Sequence, residues 1–561
     1  MANYPANAVR KIWHGAAAVF FSICFFARIP YYKIFNSAFN MMLVNGMYDD
    51  KAAILDTAIN EYQLLWRLPC AIFFGLFIIW LLTYLWKHTA IVDFTDIKRK
   101  KLAACLLIVF MPAFWIFVRY GGTFRYADSI NWESAARLKS NLLNEAVLDD
   151  GQALYRVYSM KKRLDKVTDV NITVAELRNK IAAVGGDMNA ADVDSAFLRT
   201  VKSPKLAHQP KQIVVIIGES FGLWPFLPEF SKIGLVNKTE ALITSPKSCS
   251  VNTMLAHGVG TMSAINGLIT GLPDAGLYEN YQPNSRKTVY KMGIGYIMQQ
   301  LGYKTVFWYG GFSGWQNIKN YVLAQSFNEF HCADEFEYSG GNSWGCPDKI
   351  LFSYVENYIK HHKGDKICHI ILTTSNHPPY SIDIDKEGFP RTEVVKKLPA
   401  DISKEKETIN ELGHFWYADQ AMGNFITRTE QIVPDILFVI TGDHSERFNF
   451  VKAESIKTLS AIPCIFYGNN VCNNWVPANQ SACTMQIPGT IAEIVAPAGF
   501  KYSSILPSMF GEYSFVFNHK LYAKNGHIGV INKSSDKSLR QFIGNARGVA
   551  TWRVMKGNEL K

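Results

Sequence analysis

The chain has 561 residues and a formal net charge of +11, and it is too long for one average domain, so it must be divided before it is interpreted. The basic excess does not indicate a nucleic-acid partner, because the sequence has no basic helix, no zinc-finger spacing and no repeated aromatic platform. A basic surface that faces anionic lipid or a phosphate-bearing substrate fits the charge at least as well.

Three charge-free apolar stretches crowd the start of the chain: Ile12–Ala27, Leu68–Trp86 and Leu102–Val118. A membrane-spanning helix needs roughly 17–25 predominantly apolar residues, so the second and third stretches qualify and the first is marginal. The first could instead be the core of a signal peptide, although no small-residue cleavage signature follows it and two further apolar segments do. We therefore predict a membrane domain over residues 1–122 with about three transmembrane helices.

Basic residues predict the orientation of this domain. Lys87 and Lys98–Lys101 lie between the second and third stretches, and the positive-inside rule places such a loop in the cytoplasm. Arg10 and Lys11 would then also lie inside, and everything after Arg119 outside. The sequence thus predicts a multi-pass protein of the cell (inner or plasma) membrane whose larger part is extracytoplasmic.

The chain has ten cysteines. Cys24, Cys70 and Cys105 fall in or beside the apolar stretches. Ten minus three leaves seven cysteines in the outer part. An oxidising compartment permits disulfides, and we predict local pairs of Cys332 with Cys346 and of Cys472 with Cys483. Because seven is odd, at least one cysteine stays reduced or pairs elsewhere.

The segment 123–205 is polar and helix-prone, and we interpret it as a helical stalk. Pro204 and Pro210 mark the boundary before a new domain over residues 206–561. There, short apolar runs alternate with longer helical stretches, which predicts a mainly parallel central sheet with helices on both faces. The clearest runs are Ile213–Ile217, Thr305–Trp308, Ile367–Leu372 and Ile436–Ile440.

The end of the chain has a different pattern. Tyr513–Phe517 and His527–Ile531 are typical of short antiparallel strands. We therefore expect a small C-terminal antiparallel sheet that closes the domain.

Polar residues follow the predicted strands. Glu219 ends the first run, Asp443 and His444 end the fourth, His377 follows the third, and the second continues into Tyr309. In open α/β sheets ligands bind beyond the carboxyl ends of the strands. Segments that are remote in sequence would therefore deliver two acids and two histidines to one edge.

Two carboxylates and an imidazole at one edge would repel one another or be strongly desolvated unless a cation lies between them. Oxygen and nitrogen ligands suit Mn²⁺ or Zn²⁺, so we predict one divalent metal ion held by Glu219, Asp443 and His444. The alternative is that both acids are ordinary helix N-caps after strands. Two matching strand ends together with His444 favour the metal.

Thr261 is the candidate nucleophile. It follows Gly258 and Gly260 in the segment HGVGTMSAINGLITGLP, and the apolar residues after it have helical spacing. Thr261 would thus begin a helix, where the dipole and free amides favour negative charge. A threonine hydroxyl needs a metal or a base to lower its pKa before it can attack phosphorus. The alternative is a plain threonine N-cap.

These motifs resemble the alkaline-phosphatase/sulfatase superfamily, and within it the lipoteichoic acid synthase group of membrane phosphotransferases. The resemblance begins with GES at Gly218–Ser220, the glycine-flanked Thr261 and GDH at Gly442–His444. Further matches are WYGG followed by Trp315, SNHPPY around His377, and the helix YADQAMGNFI beginning at Tyr417. The likeness covers roughly residues 206–515 and includes the plan of membrane helices followed by an ectodomain.

The resemblance implies an α/β sulfatase-like ectodomain in which Thr261 joins the metal ligands and carries a covalent phosphothreonine intermediate. It implies that His377 contacts the substrate phosphate or protonates a leaving oxygen, and that Trp315 lines the headgroup pocket. Asn317 and Tyr309 complete the expected substrate-binding set. His377 as a core histidine and Trp315 as a packing residue are the alternatives.

Two departures from this group matter. Its members usually carry five membrane helices, whereas we identify three stretches. They also carry arginine where this chain has Asn317. Because asparagine cannot grip a phosphate bidentately as a guanidinium does, this weakens the case for glycerol phosphate. Phosphoethanolamine transferases are the nearest rival group.

The sequence therefore predicts a phosphotransferase that moves a phospholipid headgroup, glycerol phosphate or phosphoethanolamine, onto a glycan or glycerophosphate-polymer acceptor of the cell envelope. A phosphoester hydrolase of the same superfamily and a non-catalytic membrane sensor are the alternatives. The intact set of Glu219, Thr261, Asp443 and His444 argues against the sensor, because a binding protein needs no nucleophile.

Overall fold

The computed structural model describes residues 4–35, 38–40, 43–44, 55, 58–59, 63–88, 97–120, 122–125, 141–164, 171–258, 260–341, 344–378, 380–445, 450 and 455–560. The chain folds into two units, Met1–Lys162 and Arg163–Lys561, each of which packs mainly within itself. The boundary between them lies within the segment 123–205.

The first unit is helical. Its helices are α1 (Tyr4–Phe35), α2 (Leu64–His88), α3 (Ile97–Arg119), α4 (Asn141–Val147) and α5 (Asp150–Leu164).

Two of these helices contain segments long and apolar enough to cross a membrane, judged by length and composition: Lys11–Lys33 in α1 and Leu64–Leu85 in α2. The third predicted stretch lies in α3, whose described apolar part is the shorter segment Ile108–Arg119. Large apolar side chains face outward on both longer segments, and Phe73 is 76% exposed. A continuous exposed apolar surface of this kind is typical of a lipid-facing helix.

The helices of the second unit, in chain order, are α6 (Val174–Ala183), α7 (Asn237–Ile243), α8 (Thr261–Thr270), α9 (Asn284–Lys287), α10 (Ile294–Gln300), α11 (Ile318–Ala324), α12 (Asp348–His361), α13 (Arg391–Lys397), α14 (Lys406–Ile432), α15 (Ile456–Ser460), α16 (Ile487–Val495) and α17 (Lys537–Met555). Its strands are β1 (Leu198–Thr200), β2 (Gln212–Gly218), β3 (Ser248–Ser250), β4 (Thr253–Leu255), β5 (Lys304–Tyr309), β6 (Glu329–Cys332), β7 (Ile367–Leu372), β8 (Ile436–Gly442), β9 (Ala461–Ile462), β10 (Cys464–Gly468), β11 (Ser481–Cys483), β12 (Lys501–Ser503), β13 (Val516–Phe517), β14 (Leu521–Lys524) and β15 (His527–Val530).

A seven-stranded sheet in the order β3-β10-β8-β2-β7-β5-β6 forms the centre of this unit. Strands β8, β2, β7, β5 and β6 run parallel to one another, and β10 is antiparallel to both β8 and β3. The four predicted strands are β2, β5, β7 and β8, so the mainly parallel sheet is confirmed. The antiparallel set β13-β14-β15 confirms the small C-terminal sheet.

The central strands read as unbroken apolar runs because both faces of the sheet are covered. On one face, Val214 and Phe438 belong to a core that includes residues of α12 and α14, where Phe352 and Phe425 stack with ring centroids 4.7 Å apart. Val215 points to the opposite face and is also fully buried. Burying each such side chain contributes about 1.5–3 kcal/mol, which fixes the strand ends in place.

Two sequence-based expectations need correction. The predicted disulfides are wrong: all ten cysteines lie in the described part of the chain, and all are thiols. Cys332 Sγ lies 3.4 Å from Asp334 Oδ2 instead, and Cys472 is exposed whereas Cys483 is buried. The short strands expected to close the domain are present, but the chain continues beyond them into the 19-residue helix α17, which the sequence analysis did not predict.

Helix α17 packs against α6 and contributes to a second apolar core of this unit. A buried ion pair joins the two ends of the unit: Arg553 Nε and Nη2 donate to Asp194 Oδ1 and Oδ2, each over 2.9 Å. Residues from within the segment 123–205 therefore belong to the packed body of this unit.

Candidate metal centre and active site

Glu219, Asp443 and His444 meet at the carboxyl edge of the sheet. β2 and β8 are neighbours and pair Gly218 with Gly442, so the residues that follow the two strands emerge side by side. One ligand atom from each of the three residues lies within 4.8 Å of the other two. His444 Nε2 is 3.4 Å from Asp443 Oδ2 and 3.9 Å from Glu219 Oε1. The predicted convergence of these side chains is thus observed.

Thr261 reaches the same cluster as the first residue of α8. Its Oγ1 donates to Glu219 Oε2 over 3.1 Å. Gly260 precedes it with φ +80°, a left-handed value that glycine adopts without strain. The hydroxyl therefore lies at a helix N-terminus and beside a carboxylate, and all four predicted metal ligands are brought together.

Two buried carboxylates lie close together in the cluster. Burial raises the pKa of Asp443 well above its usual range, and the charge of Glu219 raises it further. The His444 imidazole and a hydrogen bond with Thr261 partly offset these effects. The donor set of two carboxylates, one imidazole and one hydroxyl fits a divalent cation, which would neutralise the repulsion between the carboxylates.

Ser220 donates hydrogen bonds to both carboxylates, a role that the sequence analysis did not predict. Its Oγ donates to Glu219 Oε1 over 2.9 Å, and its backbone amide donates to Asp443 Oδ1 over 2.7 Å. Ser220 has φ +51°, an uncommon conformation for a residue with a side chain. Such strain is typical of functional sites. The GES triplet was the only signal for it.

Sterics explain why the first residue of the GDH triplet, Gly442, is a glycine. A Cβ atom on Gly442 would lie 2.1 Å from the carbonyl oxygen of Phe221. Only glycine therefore lets the chain after β2 cross so close to the end of β8. This close approach allows the Ser220 amide to reach Asp443.

The loop that follows β7 supports Glu219 from its other side. Thr373 Oγ1 accepts a hydrogen bond from the Glu219 amide (3.0 Å), and Asn376 Nδ2 donates to the Glu219 carbonyl (3.2 Å). The buried Asp348 fixes this loop, because its Oδ1 accepts from the amides of Thr374 (3.1 Å) and Ser375 (3.0 Å). Thr373, Asn376 and Asp348 are buried polar residues that position Glu219, directly or through the loop after β7.

His377 ends the same loop and is half-buried. Its Nδ1 lies 2.6 Å from the carbonyl oxygen of Pro378, and its ring packs against Trp344 with centroids 3.9 Å apart. It shares the carboxyl edge of the sheet with the four clustered residues.

Tyr309, the last residue of β5, lies beside Trp315, with ring centroids 5.7 Å apart. Burial and then the charge of Glu219 raise the pKa of the Tyr309 hydroxyl far above its usual range, so this ring lies within the electrostatic reach of the cluster. Trp315 is 8% exposed. Asn317 Nδ2 donates to the carbonyl of Asn280 over 2.8 Å, and Asn317 Oδ1 accepts from Asn320. Protein contacts thus hold the Asn317 amide.

The fold and the four-residue cluster define an α/β protein with a candidate metal centre at the carboxyl edge of its central sheet. A family model described as Sulfatase matches residues 211–481, a segment that runs from just before β2 to β11 and contains the whole cluster. The matched segment is therefore similar to the sulfatase family.

Three solved structures are similar to this chain, and the first of them shares its fold. A protein in the alkaline phosphatase superfamily from Vibrio parahaemolyticus aligns with TM-score 0.50 and 16% identity, over 68% of this chain and 96% of that one. The lipoteichoic acid synthase LtaP from Listeria monocytogenes aligns with TM-score 0.46 and 16% identity, over 68% and 97%. The C-terminal periplasmic domain of EptC from Escherichia coli, in complex with Zn, aligns with TM-score 0.41 and 17% identity, over 62% and 98%.

Proposed function

We propose that this protein is a membrane-anchored, metal-dependent phosphotransferase that uses Thr261 as its nucleophile. The observation that carries the proposal is the hydrogen bond from Thr261 Oγ1 to Glu219 Oε2, inside a buried cluster of metal-type ligands and at the start of a helix. Backbone amides at that position favour the negative charge of an attacking alkoxide and of a phosphoryl group.

The reaction would proceed in two displacements at phosphorus. In the first, a Thr261 Oγ1–P bond forms while the P–O bond to diacylglycerol breaks, and the proton of Thr261 is delivered to the departing diacylglycerol oxygen. In the second, the oxygen of an acceptor hydroxyl bonds to phosphorus, the Thr261 Oγ1–P bond breaks, and the proton of the acceptor returns to Thr261.

The residues of the chain would divide these tasks. Glu219 accepts the hydrogen bond of the Thr261 hydroxyl and so orients its lone pair. His377 is our proposed proton donor to the leaving oxygen, and the proton of Thr261 would replace the one that His377 gives up. Trp315 is a proposed wall of the headgroup pocket. A bound Mn²⁺ or Zn²⁺, held by Glu219, Asp443, His444 and Thr261, would supply charge neutralisation at the phosphoryl oxygens.

A lipid donor explains why such a domain is attached to apolar helices. The two long apolar segments would anchor the chain in the cell membrane. The basic loop between α2 and α3 supports a cytoplasmic location for that loop and an extracytoplasmic one for the sulfatase-like domain. The proposed substrates are a phospholipid donor and a glycan or glycerophosphate-polymer acceptor.

Intact-mass and peptide mass spectrometry of the full-length protein, after incubation with phospholipid vesicles and Mn²⁺ or Zn²⁺, tests the proposal. We expect a phosphate-linked adduct on Thr261 in the wild type and none in Thr261→Ala, which should still bind metal through its other three ligands. A Thr261→Ala protein that transfers headgroups at the wild-type rate would disprove the nucleophile. Release of free headgroup phosphate without any added acceptor would indicate the hydrolase instead.

A further inference from the structure

A short connection, residues 256–260, leads from β4 to the proposed nucleophile. β4 ends at Leu255, and α8 begins at Thr261. The position of the Thr261 hydroxyl therefore depends on where this connection starts and on how closely it packs against α8. Precise placement matters, because a displacement of about 1 Å in a reacting group can lower a rate about a hundredfold.

Asn518 holds the start of the connection. It lies between β13 and β14, and its side chain is buried. Its Nδ2 donates to the carbonyl oxygen of Ala256 over 2.8 Å, across 262 positions of sequence. Its Oδ1 accepts from the amides of Lys520 (3.0 Å) and Leu521 (2.8 Å). Because two N–H donors occupy the oxygen of this side-chain amide, its NH₂ group is the one that faces Ala256.

Helix α17 in turn fixes the backbone at Asn518. Arg547 Nη2 donates to the carbonyl oxygens of Asn518 and His519, each over 2.8 Å. The Asn518 amide also donates to the Leu521 carbonyl over 2.9 Å. Hydrogen bonds therefore lead without interruption from the C-terminal helix, through the turn at Asn518, to the residue where the connection starts.

The connection packs closely against α8. A Cβ atom on Gly258 would clash with Ser263 Oγ and Asp274 Oδ2, two atoms that are themselves joined by a hydrogen bond of 3.2 Å. His257 is buried, and a Cβ atom on Gly267 would lie 2.5 Å from its Nδ1. Closely packed atoms have little room to absorb a shift. A displacement at Ala256 would therefore be passed on to the start of α8.

We propose that Asn518 is a positioning residue for the transfer reaction: it holds the Ala256 carbonyl so that Thr261 stays within hydrogen-bonding distance of Glu219. The proposal rests on the proposed role of Thr261 as the nucleophile. Asn518 and Arg547 both lie beyond residue 481, where the match to the Sulfatase model ends. The C-terminal part of this chain would thus support the active site from outside the matched segment.

Asn518→Asp tests the proposal with the smallest change of shape. The carboxylate still accepts from Lys520 and Leu521, but it presents an oxygen instead of an N–H to the carbonyl of Ala256, so attraction becomes repulsion. We expect kcat for headgroup transfer from phospholipid vesicles to fall at least about tenfold. KM should stay nearly unchanged, because Asn518 acts on the placement of Thr261 and not on substrate binding.

Asn518→Ser covers the case in which the aspartate variant does not fold. A serine hydroxyl still accepts from a backbone amide in such a turn, but it is too short to replace the contact with Ala256. We expect the same fall in kcat at unchanged KM. A folded Asn518→Ser protein with the wild-type kcat would refute the positioning role.

Thr253→Val is the matched structural control. Thr253 is buried in β4, and its Oγ1 donates to the carbonyl of Gly526 over 3.3 Å, a second contact between β4 and the C-terminal strands. Valine keeps the shape and removes this hydrogen bond, so the variant should lower the melting temperature and leave kcat unchanged. An equal loss of kcat in Thr253→Val and Asn518→Asp would show that general destabilisation, and not the position of Thr261, causes the effect.

Asn532→Asp controls for the chemical change itself. Asn532 is exposed, and its Oδ1 accepts from the amide of Ser534 over 2.9 Å, an interaction that a carboxylate preserves. The variant should match the wild type in both kcat and melting temperature. A loss of kcat here as large as in Asn518→Asp would remove the specific role of Asn518.

Hydrogen–deuterium exchange separates this proposal from the transfer reaction. The peptide 256–262 of the full-length protein should exchange faster in Asn518→Ser than in the wild type or in Thr253→Val. Faster exchange there, in a protein whose wild type forms no adduct on Thr261, would support the contact with Ala256 and refute only the transferase. Wild-type exchange of this peptide in Asn518→Ser would refute the positioning role and leave the transferase standing.

Discussion

Thr261 and Glu219 are 42 positions apart in sequence, yet the hydroxyl of one donates to the carboxylate of the other over 3.1 Å. This contact joins the start of α8 to the end of β2 and places the proposed nucleophile against a proposed metal ligand. We therefore expect substitution of either Thr261 or Glu219 to abolish transfer activity.

We expect removal of the proposed metal to destabilise the protein. Glu219 and Asp443 are 4% and 0% exposed, so two buried carboxylates repel each other when no cation separates them. We expect a chelator to lower the melting temperature of the full-length protein and Mn²⁺ or Zn²⁺ to restore it. A ligand present at a hundred times its dissociation constant stabilises by about 2.7 kcal/mol.

The matched variant for this experiment is Glu219→Gln, which should lose bound metal and respond to neither chelator nor added ion. Glu393→Gln, on an exposed position of α13, should behave as the wild type does. A melting temperature of the wild type that ignores the chelator would contradict the metal site.

Ser220 should tune the metal centre without being a ligand. Ser220→Ala removes the hydrogen bond to Glu219 Oε1 but keeps the amide that binds Asp443. Loss of such a supporting contact typically lowers metal affinity about 10–100-fold, and we expect a decrease of that size in a metal titration.

Ser220→Gly distinguishes strain from hydrogen bonding. Glycine adopts φ +51° more easily than serine, so this variant should match Ser220→Ala in metal affinity and exceed it in thermal stability. Equal stability of the two variants would show that the left-handed backbone at this position costs nothing.

Glu279 should make stability depend on pH. This carboxyl is 5% exposed, and burial first and the charge of Asp274 second raise its pKa to about 8. Because the folded pKa lies above the unfolded one, the stabilising contribution is complete below about pH 4.5 and is lost as pH rises through about 8. The free energy of unfolding should therefore fall by at most about 1.4 kcal/mol per pH unit in that window.

Glu279→Gln should flatten this dependence, since the neutral amide can still accept from Asn266 Nδ2. Denaturation of the full-length protein at several pH values inside that window measures the slope for both proteins. Parallel curves for the wild type and Glu279→Gln would exclude this carboxyl as the source.

The ion pair between Arg553 and Asp194 should be essential for the stability of the second unit. Both side chains are buried, at 0% and 1% exposure. Asp194→Ala leaves the guanidinium charge without its carboxylate in the interior, which typically costs about 3–5 kcal/mol. Asp385→Ala removes an exposed bidentate pair with Arg391, and it should leave the melting temperature nearly unchanged.

The sequence predicted the strands of the central sheet because burial on both faces produces unbroken apolar runs. It predicted Glu219, Asp443 and His444 because polar residues that follow parallel strands meet at one edge. The role of Ser220 could not be predicted in this way. It depends on a left-handed backbone and on the distance between β2 and β8, neither of which leaves a composition signal.

Other features of the structure were not predicted from the sequence, for different reasons. Leu539, Ile543 and Ala546 have helical spacing in α17. The strand pattern of the residues just before this helix led us to expect strands rather than a helix there. Cysteines that are close in sequence, such as Cys472 and Cys483, proved to differ in burial. Glu411 and Phe415 are one turn apart on the 27-residue helix α14, and only the tertiary fold brings them around one small cleft with Ser220 and Ser445.

The candidate centre draws its ligands from strands made at different times, with Glu219 after β2, the first parallel strand, and His444 after β8, the last. During synthesis, a chain that has emerged as far as β7 already possesses Glu219 and Thr261 but has no third or fourth ligand to offer. An ion can therefore bind to all four proposed ligands only after β8 has been synthesised and has paired with β2. Metal binding would then indicate that β8 has joined the sheet.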